Sequence, residues 1–471
     1  MFFQRIVSEG LAHNSYLIGS AGKAAVIDPR RDFRIYPECA DTNDLRITHI
    51  FETHRNEDYA IGSAGLAQSC NAGIFHGESQ VFSYGTGVKD GDRFTIGLLD
   101  LEIRQTPGHT EESISVVVRD REVSEKPYLV FCGDTLFAGD IARTDFYGDA
   151  RKAEMAGKIY DSITGTLLAL GDGLIICPAH GAGSVCGEAI ASHPFTTAGY
   201  EKTTNPLLLM GRDAFISRRV SDSPYFPPYF HTMEAMNSRG APSPYRLPQA
   251  GPLSVPDIGR LRKTGCQVID IRSPAAFAGG HIPGSLSIWR DGLASFMGWF
   301  LNYEDPVVIV DDFNLDMADV CARFIRIGYD NLAGWLAGGF ISWVKAAQDI
   351  ASFSTCSPAD LHARMAAGEV FILDVRDIRN RKTDGYIPGS CHRYIGELPD
   401  HLDEIPRDRP VVTYCDAGYK GSLAAGILTA HGYRDITNLL GGMAGWSHAG
   451  FPVARNGISL PCSSTAKPGA K

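Results

Sequence analysis

The sequence predicts a multidomain α/β protein, and three observations carry that expectation. Over residues 2–201, short apolar runs rich in β-branched side chains alternate with turns and a few helical stretches. Over residues 255–453, strand-like and helix-like stretches alternate in two successive copies: Val268-Ile-Asp270-Ile-Arg272 answers Ile372-Leu-Asp374-Val-Arg376, and the run at 307–310 answers that at 411–414. Such alternation implies a parallel sheet in each copy. Between the two regions the composition shifts to proline and aromatics. A length of 471 residues fits about three domains. The expected boundaries are 1–202, a Pro/aromatic-rich linker at 203–254, and the two copies at 255–350 and 351–458.

Composition narrows the class. Hydrophobic residues make up 44% and charged residues 21%, ordinary values for globular material. The formal charge is −10 and no long basic block exists, which argues against a nucleic-acid partner. No apolar run reaches membrane-spanning length, and Met1-Phe-Phe-Gln-Arg lacks the pattern of a signal peptide, so a cytoplasmic protein without a membrane partner is expected. The 11 cysteines are scattered without zinc-ligand spacing. Cys132, Cys177, Cys266 and Cys321 sit in apolar stretches and read as buried, reduced thiols, with no disulfide framework.

In the first region, strands are expected at 14–18, 24–27, 47–52, 94–104, 114–118, 128–132 and 174–177, and helices at 60–68 and 149–170. The strand at 47–52 ends in a polar cluster, Thr53-His54-Arg-Asn56-Glu-Asp58-Tyr59, ahead of the first helix. Three later stations follow: Thr106-Pro-Gly-His109-Thr, Phe131-Cys-Gly-Asp134-Thr and Cys177-Pro-Ala-His180-Gly. Each falls at a strand end or just beyond, where a sheet fixes the backbone and loops leave room for substrate. In content and order these stations resemble the metallo-β-lactamase superfamily, whose loop usually runs Thr-His-x-His-x-Asp-His. The resemblance implies an αββα sandwich.

Two departures direct the chemistry. Asn56 stands at the second histidine of that pattern and Tyr59 at the last. His54, His109 and Asp134 are retained, and two imidazoles with one carboxylate are the set associated with non-haem Fe(II) oxygenases. Two-metal zinc hydrolysis needs both positions filled. The chain therefore resembles the persulfide dioxygenase branch, which implies one Fe(II) per chain. In that branch an Arg-Thr-Asp-Phe follows, matched by Arg143-Thr-Asp145-Phe146. Arg143 would meet the carboxylate of a small thiol substrate such as glutathione persulfide through paired hydrogen bonds; its rival role is a surface ion pair. His180 reads equally as a metal ligand or a hydrogen-bonding neighbour, and Tyr59 as a packing residue or a hydroxyl beside the open positions.

The segment 203–254 carries Pro224, Pro227 and Pro228, which remove backbone donors. Tyr225, Phe226, Tyr229 and Phe230 would be costly to leave in water, so the segment is expected to lie along a neighbouring domain or form a subunit contact.

The copies at 255–350 and 351–458 share Asp-x-Arg, Ile-Pro-Gly-Ser and a Gly-Gly stretch ending at Trp343 and Trp446. These marks resemble rhodanese domains. They differ after the central strand: the second copy reads Cys415-Asp-Ala-Gly418-Tyr-Lys420-Gly421-Ser422, whereas the first reads Asp311-Asp312-Phe-Asn-Leu-Asp316. A rhodanese loop winds backbone amides around a cysteine sulfur at a helix N-terminus, favouring an anion there. Cys415 would carry a persulfide, with Gly418 and Lys420 at the substrate. The alternative for Cys415 is a packing thiol. The usual loop runs Cys-x-x-Gly-x-Arg followed by Ser or Thr, so Lys420 keeps the charge without the planar fork and Gly421 lacks the hydroxyl. The first copy, with no nucleophile, reads as structural.

Order and content resemble fusions of a persulfide dioxygenase with a pseudo-rhodanese and a rhodanese. The expected function is Fe(II)-dependent oxidation of a thiol persulfide by O2 to sulfite, coupled to sulfur transfer from a second persulfide to sulfite through Cys415, giving thiosulfate; a homo-oligomer is expected. The alternatives are a zinc thioester hydrolase like glyoxalase II fused to a sulfurtransferase, and a non-enzymatic sulfur carrier.

Overall fold

A computed structural model describes residues 1–368 and 370–455, so positions 456–458 of the expected last domain lie outside the described residues. The chain divides into two compact units, one of residues 1–247 with 322–330, the other of 248–321 with the chain from 331 onward.

The first unit is built on two six-stranded sheets. One runs Phe2–Ser8, His13–Ser20, Lys23–Ile27, Arg46–Phe51, Gly73–Gly77 and Thr86–Val88; the other runs Thr196–Thr197, Ile175–Pro178, Leu129–Gly133, Ile114–Asp120, Leu99–Gln105 and Arg93–Ile96. Side chains alternate across each strand, and here both faces are apolar because both are covered. Tyr16, Ile18, Ala25 and Ile27 join Val116, Val118 and Phe131 in one core. Their neighbours Leu17 and Val26 pack with Phe33, Tyr36 and Leu66, on and beside the helices Ile35–Thr42 and Ser63–Cys70. Val117 and Val130 face Ala156 and Ile159 of the helix Lys152–Asp161. Helix, sheet, sheet and helix layers follow, as expected.

One expected strand resolves differently. The run 94–104 is a hairpin, with Ile96 paired to Leu99, because Gly97 adopts φ +59° and lets the chain reverse. The strand Phe2–Ser8, unremarked in the sequence, pairs antiparallel with His13–Ser20. Residues 149–170 are helical throughout, with a wide π-type turn at Ser162–Leu167.

The segment 203–254 holds the helices Arg212–Ser221 and Tyr229–Arg239. Its prolines do not prevent them, since Pro228 caps the second helix at a point where the missing donor costs nothing. Phe215, Tyr229, Phe230 and Met233 are buried.

In the second unit the two copies share one topology. Parallel sheets run Gly251–Leu253, Leu332–Leu336, Val307–Val310, Gln267–Asp270, Leu286–Ser287, and Ser354–Cys356, Ile436–Leu439, Val411–Tyr414, Phe371–Asp374, Cys391–His392. The Asp-x-Arg mark is structural in both: Asp270 accepts from Arg272, and Asp374 from Arg376, Arg381 and the Tyr414 hydroxyl.

Cys132 and Cys177 are buried free thiols as expected, whereas Cys266 and Cys321 are only partly buried. Cys391 departs from the reduced pattern, being disulfide-bonded. Among the described residues no helix is long and apolar enough to cross a membrane.

Candidate functional site

The strand Arg46–Phe51 delivers Thr53 and His54 to a buried hollow at the sheet ends. Asp28, at φ +49°, accepts from the Thr53 backbone N–H (2.7 Å) and the Thr53 hydroxyl (2.8 Å). That hydroxyl proton is thereby committed, so the Thr53 oxygen accepts from His54 Nδ1 at 2.9 Å, which leaves the lone pair on Nε2. His109 is fixed in the same sense: its Nδ1 lies 2.9 Å from the Arg143 carbonyl, which can only accept. Such partners orient metal-binding imidazoles.

Asp134 lies where the two Nε2 atoms point, with Oδ2 at 4.0 Å from His54 and 3.6 Å from His109. The structure thus brings His54, His109 and Asp134 together. Burial pushes the His54 pKa down to about 4, favouring the neutral ligand form. Burial opposes ionisation of Asp134, but His180, His54 and His109 outweigh it and hold its carboxyl well below the usual range.

His180 donates from Nδ1 to Asp134 at 2.7 Å and turns Nε2 to within 2.9 Å of Asp58 Oδ2. Burial disfavours its charge, yet the two carboxylates raise its pKa well above the ordinary value. Tyr59 packs against His13 with ring centroids 4.0 Å apart and the rings tilted by 33°; its hydroxyl is buried without a hydrogen-bond partner. Asn56, at φ +26°, folds its amide back onto the His54 carbonyl at 3.0 Å. Asparagine tolerates that backbone region better than most residues.

Three groups outside the expected set belong to this hollow. Glu57 Oε1 lies 2.7 Å from His109 Nε2. Cys186 joins Asp58 and His180 in one group of converging donors, and His109 and Asp134 in another. Asn237, on the helix Tyr229–Arg239, donates to the Asn56 and Tyr59 carbonyls at 2.6 and 2.8 Å and accepts from Ile61 N–H at 2.9 Å, clamping the loop. Glu57 lies inside the polar cluster and could have been weighed as a donor; no motif marks Asn237 or Cys186.

The hollow passes a simple test for a metal. The Nε2 atoms of His54, His109 and His180 and the carboxylate oxygens of Glu57 and Asp58 are buried without hydrogen-bond partners, although they crowd one another. Buried charges left that way are costly unless an ion collects them.

Arg143 is engaged by groups of the protein itself. Its Nε and Nη2 form paired 2.7 Å bonds with Asp145, and Nη1 donates to the Tyr225 carbonyl at 3.2 Å. It is buried, ringed by Phe146, Phe226 and Phe230. A carboxylate two residues along the same loop thus holds the guanidinium. The neighbouring Phe146 ring stands 5.1 Å from that of His109, so the assembly walls the hollow.

The second site is the loop after Val411–Tyr414. Cys415 Sγ accepts from Gly418 N–H at 3.1 Å, and Gly418, at φ +98°, starts the helix Tyr419–Ala430. Asn438 holds the Gly418 carbonyl at 3.0 Å. A Cβ at 421 would come within 2.4 Å of Asn438 Oδ1, so a larger residue there would displace the amide that holds Gly418. Lys420 pairs with Asp416 at 2.7 Å, inside the loop. The Ser422 hydroxyl meets Ser287 of the first copy at 3.1 Å and so does not replace the missing loop hydroxyl.

The metallo-beta-lactamase superfamily matches residues 9–180, and the rhodanese-like domain matches residues 257–346 and 357–449. A metallo-beta-lactamase structure from Staphylococcus aureus subsp. aureus COL is similar with 33% identity and a TM-score of 0.64, covering 71% of this chain and 98% of that one. The mitochondrial persulfide dioxygenase of Homo sapiens is 29% identical over 43% of this chain and 74% of its own length. A hydroxyacylglutathione hydrolase from Francisella philomiragia subsp. philomiragia is 27% identical over 33% of this chain and 58% of its own.

Proposed function

Because this chain belongs to the metallo-β-lactamase superfamily and carries two rhodanese-like domains after that fold, we propose that it is a dioxygenase and sulfurtransferase that oxidises sulfur and passes sulfur on. The substrate of the first reaction is a low-molecular-weight thiol persulfide, R-S-SH. With O2 and water it yields the thiol and sulfite. In the second reaction the Cys415 thiolate takes the outer sulfur of another persulfide and releases the thiol. Sulfite then attacks the sulfur carried on Cys415, forming thiosulfate and freeing the thiolate. One polypeptide for both steps raises the effective concentration of the shared product.

The observation that carries this reading is the convergence of His54, His109 and Asp134, two imidazoles and a carboxylate, without hydrogen-bond partners on either Nε2. These residues would hold one Fe(II), which supplies open coordination positions and a redox-active centre for O2. Asp28 through Thr53, and the Arg143 carbonyl, keep both imidazoles in the ligating tautomer. The Arg143–Asp145 pair holds the aromatic wall that shields the hollow from water. At the second site the Gly418 N–H steadies negative charge on Cys415 sulfur.

Metal analysis of protein purified without added metal, followed by oxygen uptake with glutathione persulfide, tests this. Iron, oxygen consumption and thiosulfate are expected. One observation favours a zinc thioester hydrolase instead: Asp58, His180 and Cys186 form a second donor group beside the first. Zinc in the protein, thioester cleavage and no oxygen uptake would decide for it.

A further inference from the structure

We infer that Glu57 is a fourth protein donor to the metal, taking over the place in the loop that Asn56 leaves unfilled; this rests on the metal reading above. Glu57 is 1% exposed, and neither carboxylate oxygen has a hydrogen-bond partner. Its Oε1 is 2.7 Å from His109 Nε2, and one donor atom each from His54, Glu57 and His109 lie within 4.8 Å of one another. The contact is close without being aligned as a hydrogen bond, for His109 Nε2 is also without a partner. Because Nδ1 of that ring faces the Arg143 carbonyl, Nε2 is the ring nitrogen turned to the hollow. An imidazole nitrogen and a carboxylate oxygen buried that close need a cation between them, which a proton supplies in the metal-free pair and a metal ion held by both can replace.

The loop geometry accounts for the exchange. At Asn56 the positive φ swings the side chain back onto the His54 carbonyl, away from the hollow. The next residue then points inward, and here it is a glutamate held by a clamped backbone: Asn237 fixes the Asn56 and Tyr59 carbonyls on either side of it. With His54, His109 and Asp134 the donor set becomes two imidazoles and two carboxylates. That set suits a hard, six-coordinate divalent ion such as Fe(II) or Mn(II) and leaves two positions for ligands.

The test is anaerobic titration of metal-stripped protein with Co(II) as a spectroscopic probe, for wild type, Glu57→Gln, Glu57→Ala and His54→Ala, with far-UV circular dichroism confirming each fold. Wild type should bind one Co(II). Both Glu57 variants should bind it at least about 10–100-fold more weakly, the cost known for losing even an outer partner of a ligand. Their visible absorption should shift and intensify toward lower coordination, and the rise in Tm on adding Co(II) should shrink. Wild-type affinity and an unchanged spectrum in Glu57→Gln and Glu57→Ala, with His54→Ala losing the metal, would overturn the role of Glu57 alone. Wild-type affinity in His54→Ala would overturn the metal site as described, and this inference with it.

Discussion

The loops at Asp311 and at Cys415 occupy the same place in two copies of one fold, and they show how much of such a loop is backbone. In both, the turn after the central strand is held by a glycine pressed against its carbonyls. A Cβ at Gly339 would lie 1.9 Å from the Asp312 oxygen, and one at Gly442 would lie 2.2 Å from the Cys415 oxygen. In both, the following residue donates to the turn: Phe340 N–H to Asp311 at 2.9 Å, and Met443 N–H to Cys415 at 2.7 Å. The scaffold is therefore indifferent to the side chain it presents. What differs is the content. The second loop turns the Gly418 amide onto a sulfur, whereas the first has acidic side chains near Arg272 and Arg290 and exposes Phe313 and Leu315. The two loops thus set different side chains on one frame.

The sharpest way to break this comparison is to remove the sulfur. Cys415→Ser should lower thiosulfate formation by on the order of 10³-fold or more, as loss of a nucleophile does, while oxygen uptake continues and sulfite accumulates. Thiosulfate at the wild-type enzymatic rate would show that the second loop is as inert as the first.

The paired glycines come next. Gly442→Ala and Gly339→Ala each place a Cβ against a carbonyl at φ +51° and +73°, and each should cost about 1–3 kcal/mol in denaturant unfolding of its copy. Only Gly442→Ala should also slow transfer, by up to about 100-fold, because it displaces the Cys415 backbone. Equal effects on transfer would make the first loop a participant.

Lys420→Arg should change the KM for sulfite within about 5-fold, since Lys420 already pairs with Asp416 in a half-exposed contact of small worth. The smallest expected effect is none: Asp311→Cys placed in the Cys415→Ser background should leave transfer at background. That loop has Asn314, at φ +52°, where the other has Gly418, and Arg290 and Arg272 already face its aspartates. Measurable transfer by this double variant would show that a thiol alone suffices.

Much of the architecture was legible in the chain because burial on both faces writes itself as continuous apolar runs, and duplication writes itself as repeated marks. Leu129 to Cys132 and Val307 to Val310 are such runs. The turn at Gly97 was not, since one apolar run of that composition can lie straight or fold back, and only pairing with Ile114–Asp120 chooses. The helices at 212–221 and 229–239 were masked by prolines that stand at their ends.

By itself, the order of residues determined three things: which imidazoles and carboxylate remain from a bimetallic pattern, that one copy carries a cysteine in the loop after its central strand, and that the other carries an aspartate there. Only the tertiary structure decided where charges find their partners. It turned Arg143 onto Asp145, Asn56 away from the hollow and Glu57 into it, and it brought Asn237 from a distant helix to hold the loop. The reason is physical. A ligand's chemistry belongs to its side chain, but its direction belongs to backbone angles and to contacts between residues far apart in the chain.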